Sequence, residues 1–521
     1  MKTKASRKKL EKKRQILLFC NLLNNSKIMS ILLLFSCLCL IFYKIMNVLK
    51  EISTLSTYQP LAGDILLMFE LMIGTERLTR KEALAVFKKK NKSEARFRIV
   101  YKELKERLIG GIFSNSFPDF TTVQKAHYTI WKNEAAVKIS ALRGKRQLSN
   151  KLGHETFNMA IKYGEFDAAL SMAKILISHY SIIETDAKKY YFFKSKIKEL
   201  RKKIEEEGMA HNLNLEMIFR IRKNLNMDGI KEQLNELDKI AQTNKEHRFN
   251  LYYFNARSYY SQVMNDQPSV IKNAEAAIRF FERFEVPLPY ATSYAFYTKL
   301  AVIFINQKEY AKAEDYLNRC LKLPTKGSYN WNITLFLIAI LGFHSNHPEM
   351  AYKAWRKAES QPKKFKSDVI QERWRIILAY LVWYKKIGRI DIEEDYRLGK
   401  FLNEMDVLGK NKSGQNVSVI VAQMLHYLVD KRFDDFETKA CRLEKYITTY
   451  LRKKEHIRSK NFLRALRNIE DANYYLKQAE QRTKRYWNNI QEVSLTVSLD
   501  LLESEVVPFE LTWGEITKLL K

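Results

Sequence analysis

The chain has 521 residues, 46% hydrophobic and 28% charged, a globular balance that excludes a disordered polymer. It holds only 16 glycines and 9 prolines, too few for the tight turns of β-sandwiches, barrels and doubly wound α/β folds, and its five cysteines exclude a disulfide scaffold. What remains is a long, mostly helical protein whose net charge of +32 favours acidic partners: nucleic acid, anionic lipid or acidic protein. A lysine-rich background composition gives the same charge.

Residues 1–27 form a basic tail, with nine Lys and Arg against Glu11. Ile28–Tyr43 carries no charge, and the apolar stretch runs on to residue 49 if Lys44 snorkels. A bilayer takes about 20 apolar residues, so 28–49 reads as a transmembrane helix. The basic tail then stays in the cytoplasm and the rest is exported, giving a single-pass, membrane-anchored protein. Two alternatives stay open. The native start is Met46 and the protein is cytoplasmic, or the apolar run is a buried core helix.

Residues 60–147 read as an N-terminal helical cap unit. Leu66–Ile73 is one helix, and Thr79 can cap the next through Glu82–Val86. Residues 93–109 form a third, amphipathic and basic, which Gly110-Gly111 should stop. Three short helices suit a winged-helix-like DNA reader, but no wing hairpin follows, and the cap reading is preferred. Residues 119–147 and 184–225 are long helical patterns, the second broken at Met227-Asp228-Gly229.

Residues 148–362 carry an internal repeat. Ala301, Phe304, Tyr310, Ala313, Leu317, Cys320 and Pro324 return 38 positions later as Ala339, Gly342, Pro348, Ala351, Trp355, Ala358 and Pro362. Each unit sets a small residue in one helix against a small residue 12 later in the next, so that two antiparallel helices can approach closely. The proline ends the unit because it cannot continue a helix. Gly164, Phe166, Ala169, Ala173 and Leu176 mark an earlier unit, and Ala256, Tyr259, Ala274, Ile278 and Phe281 another. Residues 363–521 continue as helical repeats and end in a cap.

This pattern resembles the tetratricopeptide repeat over residues 151–180 and 250–362, with a small residue near the turn, an aromatic two later and alanine on the second helix. Lys308 and Asn346 depart from it, standing where that repeat has its turn glycine. Residues 60–521 also resemble a family of bacterial tetratricopeptide-like helical-repeat proteins, through the segments 398–425, 448–462 and VPFELTW at 507–513. No activity is attached to that family. The resemblance implies an all-α, tetratricopeptide-like superhelical solenoid of helical hairpins, whose groove binds peptide or protein segments.

No enzyme constellation stands out: there is no phosphate loop, no HExxH and no CxxC. No cofactor, metal or catalytic residue is assigned. Cys320 reads as a core residue, and His344 with His347 lacks a third metal ligand. The best binding candidate is the basic helix 450–467, where Lys453, His456, Lys460, Arg464 and Arg467 fall on one face, with Arg452 and Arg458 flanking it. Arginine forks suit carboxylates and phosphates, so this face is the candidate site for an acidic partner. The bland reading is a solvated outer helix balanced by Asp434, Asp435 and Glu437. The loop Gly409–Gly414 is read as a helix stop, or as an anion-cradling nest. In VVPFELTW, Phe509 and Trp513 should dock on the last helical pair. These features point to a non-enzymatic interaction scaffold binding a protein or peptide partner. The alternative is a nucleic-acid-associated regulator using the basic face and the 62–112 unit.

Overall fold

Apolar side chains that return every three or four residues need a second apolar stripe to bury against, and neighbouring helices supply it. The structure, a computed structural model, describes residues 63–74, 80–114, 117–118, 120–223, 225–284, 288–361, 368–395, 415–452, 456–493 and 505–520. Among the described residues every regular element is a helix, and there are twenty. The chain divides into two compact units, residues 1–121 and 122–521.

The first unit holds α1 (Gly63–Gly74), α2 (Arg80–Lys89) and α3 (Glu94–Ser114). Its core is built from Met68, Ala83, Phe87, Phe97, Val100 and Leu104, with Phe87 and Phe97 edge to face at 5.2 Å. Asp64 accepts from Arg96 at 2.8 Å, which holds its carboxyl below the usual range. The expected stop at Gly110-Gly111 does not occur; α3 runs through both glycines to Ser114. Thr79 lies outside the described residues.

The second unit begins with α4 (Thr122–Leu142), α5 (Arg146–Tyr163), α6 (Phe166–Ile182), the 37-residue α7 (Ala187–Lys223) and α8 (Ile230–Ala241). It continues through α9 (His247–Val263), α10 (Gln267–Phe281), α11 (Ala291–Asn306), α12 (Tyr310–Leu321), α13 (Tyr329–His344) and α14 (Pro348–Glu359). It ends with α15 (Asp368–Lys386), α16 (Gln415–Val429), α17 (Phe433–Tyr450), α18 (Ile457–Asp471), α19 (Leu476–Gln491) and α20 (Phe509–Thr517). Nearly every helix packs on the next in the chain. The division at 121 rather than 147 places α4 with the helical pairs, because α4 buries Val123, Ile130 and Val137 in the second unit.

The turns repeat more faithfully than the sequence does. Gly164, Asn265, Lys308, Asn346, Gly388 and Lys431 all take left-handed backbone, with φ between +55° and +72°. After each, the next amide donates to the carbonyl five residues back: Glu165 to Ala160, Asp266 to Ser261, Glu309 to Phe304, His347 to Gly342, Arg389 to Tyr384 and Arg432 to Tyr427, all at 2.7–2.9 Å. This closure satisfies carbonyls that a helix end leaves unpaired. Lys308 and Asn346 therefore adopt the same left-handed backbone as Gly164 and Gly388, and the bonded closure holds them there. Polar contacts tie the turn regions of successive pairs together, as in Gln307 to Gln267 at 3.2 Å and Arg389 to Asn346 at 2.7 Å.

Small residues stand where backbones meet. A Cβ on Gly342 would lie 2.7 Å from the Ala351 nitrogen and 3.0 Å from the His347 carbonyl oxygen. Neither backbone atom can swing away, so Gly342→Ala is expected to destabilise the second unit by about 1–3 kcal/mol, read from denaturant unfolding. A change below about 0.5 kcal/mol would mean that α13 and α14 can separate freely. Gly164 combines φ +71° with the His247 ring, whose Cε1 sits 2.6 Å from the site of a Cβ. Pro362, the expected end of a repeat, lies outside the described residues.

The expected single-pass, membrane-anchored location is not upheld. Among the described residues no helix is long and apolar enough to cross a membrane. The apolar α13 is buried over most of its length, but its 16 residues span only about 24 Å against a hydrocarbon core of about 30 Å. Segment 28–49, on which the anchor rested, and the basic tail 1–27 lie outside the described residues.

Candidate functional site

The expected basic helix 450–467 is not one helix. α17 ends at Tyr450, Leu451 leaves helical backbone, and α18 begins at Ile457. Lys453 lies outside the described residues. Arg452 is exposed and its Nε donates to the Thr448 carbonyl at 2.7 Å. Arg464 grips both carboxylate oxygens of Glu444 on α17, Arg467 reaches the same group at 3.7 Å, and the Lys460 charge helps hold that carboxyl low. The balancing acid is thus Glu444, not Asp434, Asp435 or Glu437. The continuous basic helix was one of the two features of the nucleic-acid alternative, the 62–112 unit being the other.

Arg458 departs furthest from expectation, because it is buried. Its Nε and Nη2 meet the two Glu505 oxygens at 3.0 and 2.6 Å, and Nη2 also reaches Glu510 at 3.0 Å. Its Nη1 donates to the carbonyls of Ile490 at 2.8 Å and Val493 at 3.1 Å. Burial pushes the Glu505 carboxyl up, while Arg458 and the Phe509 amide pull it back. The guanidinium closes a C-terminal clasp, in which Phe509 stacks on Phe462 at 4.1 Å and Trp513 lies 5.2 Å from Trp487. Those two contacts dock α20 on α18 and α19, as the apolar VPFELTW segment indicates.

His344 belongs to the same clasp. It is buried, and its Nε2–H donates to the Glu505 carbonyl at 2.9 Å across 161 residues. Burial lowers its pKa to about 4, so the ring is neutral near pH 7. His347 faces Ser345 instead. Among the described residues no group of three His, Cys, Asp or Glu side chains is arranged to hold a metal. Burial pushes the Cys320 thiol up to about 12, so it stays protonated and inert.

Two polar sites carry no signal in the sequence. At the first, Glu165 accepts from His127 at 2.6 Å and lies 3.6 Å from Arg248, whose Nε meets Glu207 at 2.8 Å. His127 and Arg248 lower the Glu165 carboxyl, whereas burial raises that of Glu207. The cluster joins α4, α7, α9 and the turn before α6, and its charges satisfy one another.

The second site is open. Lys299 on α11 is half-buried, and its Nζ donates to Asn255 Oδ1 on α9 at 2.8 Å. The nitrogen sits 4.3 Å from the centre of the Tyr259 ring and 5.4 Å from that of Phe296. Among the described residues no carboxylate reaches it. Burial pushes its pKa down, to about 7, while the negative faces of the two rings favour the ammonium and oppose that fall. Elsewhere, α12, α13 and α14 border a cleft of 680 Å³ whose lining includes Tyr310, Leu335, Ile338, Leu341, Met350 and Lys353.

Comparison with family models, curated proteins and solved structures finds no match.

Proposed function

We propose that the chain is a non-enzymatic protein-interaction scaffold, a tetratricopeptide-like superhelical solenoid that takes an acidic segment of a partner protein where α9 and α11 meet. One observation carries the reading. Lys299 is a half-buried cation held by an amide oxygen and two ring faces, with no carboxylate among the described residues to neutralise it. Desolvating a cation without a counter-charge is costly, and an acidic side chain from a partner would supply what is missing. The repeated turn geometry supports the fold half of the proposal, since stacked, similar pairs present successive first helices in register.

The test is selection of short peptides from a random display library on the full chain. Peptides with a recurring Asp or Glu are expected, and Lys299→Glu should weaken their binding about tenfold or more. Lys299→Met should weaken it as well while leaving the melting temperature unchanged or higher, because no internal ion pair is lost. Selected peptides without acid, or binding indifferent to both variants, would overturn the proposal.

A further inference from the structure

The ends of α4 and α6 and the starts of α5 and α7 come together at one edge of the second unit. The turn at 143–145 joins α4 to α5. Asn150 on α5 contacts His179 on α6 at 3.0 Å, and His154 contacts Tyr180 at 2.7 Å. Lys189 on α7 lies 4.6 Å from the centre of the Tyr180 ring. This edge exposes Ile139, Leu142, Leu148, Ile182, Tyr191 and Phe192, with Leu142 at 88% and Ile182 at 76%. Folded domains rarely leave so many large apolar side chains together in water without a use for them.

The charge around them is predominantly positive, although Lys138 and Lys196 are paired with Glu134 and Glu199. Residues 138–151 hold five Lys and Arg and no Asp or Glu. Residues 184–198 hold five lysines against Glu184 and Asp186, and both acids lie within 4 Å of Lys189. The six apolar residues stand at four helix ends, with Arg143, Lys145, Arg146, Lys188 and Lys189 between them in the sequence. Exposed apolar tips interleaved with an excess of basic residues match an anionic boundary, in which the tips enter the acyl layer while the cations stay among the headgroups.

We propose that this edge docks the protein reversibly on an anionic lipid surface. Such contact lies on the bilayer and needs no helix that crosses it. It is independent of the acidic-peptide reading, because Lys299 is not part of the edge.

The experiment is co-sedimentation of the full chain with phosphatidylcholine vesicles, with and without 30% phosphatidylserine, followed by hydrogen exchange on the bound protein. Binding is expected only with phosphatidylserine and should fall steeply in 0.5 M salt. Protection is expected in 140–148 and 182–190. Leu142→Ser with Ile182→Ser should weaken partition at least about tenfold. Arg143→Gln with Lys145→Gln and Arg146→Gln should weaken it on the order of 100-fold. If the double variant unfolds, Leu142→Asn alone carries the same test. No partition at low salt would overturn the proposal, as would protection confined to other segments or binding that these variants leave unchanged. Binding to an acidic protein at the same residues without any lipid partition would also overturn it, and would reassign the edge to a protein partner.

Discussion

Replacing Arg458 by alanine is expected to lower the unfolding free energy of the second unit by about 3–5 kcal/mol. The side chain serves Glu505, Glu510 and two backbone carbonyls at once, and its removal leaves a buried carboxylate without its cation. Arg458→Lys should recover little of the loss, since an ammonium cannot span acceptors set around a planar fork. The measurement is denaturant unfolding followed in the near-ultraviolet signal of Trp487 and Trp513, which lie at the clasp. A loss below about 1 kcal/mol would show that the C-terminal segment is held by its apolar side chains alone.

Acidification should release the same clasp. The pKa of buried His344 is about 4 against an ordinary value of 6.5, so the unfolded chain takes up its proton first. Stability is therefore full above pH 6.5 and falls as the pH drops towards 4. The gap between those two values makes His344 responsible for roughly 3 kcal/mol of that loss. His247, also lowered to about 4 by burial, adds a share of the same order. Unfolding curves at pH 7, 6, 5 and 4 would show the trend, and His344→Gln should flatten part of it. A profile level from pH 6.5 to 4 would contradict this account.

The fold is legible in the sequence because its determinants are local. Ala301 with Ala313 and Ala339 with Ala351 give helical pairs directly, as close helix packing needs small side chains at fixed spacing. The turn residues Lys308, Asn346 and Lys431 are harder to read. Lysine carries no intrinsic preference for positive φ, and only the surrounding closure imposes it. The sites fail for a related reason. Arg458 finds Glu505 47 residues away, and Lys299 finds Asn255 44 residues away, so neither neighbourhood has a local signature. The stretch around 451–456 holds no glycine or proline, and its basic spacing imitated an uninterrupted helix.

The bond between His344 and the Glu505 carbonyl also sets an order of events during synthesis. Most contacts in the second unit join neighbouring helices and can form as each pair leaves the ribosome. The α13 end, by contrast, waits for a residue translated 161 codons later. Until that residue emerges, the polar nitrogen of His344 and the apolar faces of Phe462 and Trp487 remain uncovered. A chain cut short before Glu505 therefore leaves these surfaces open to chaperones and proteases, and the Glu505–Trp513 segment withdraws them.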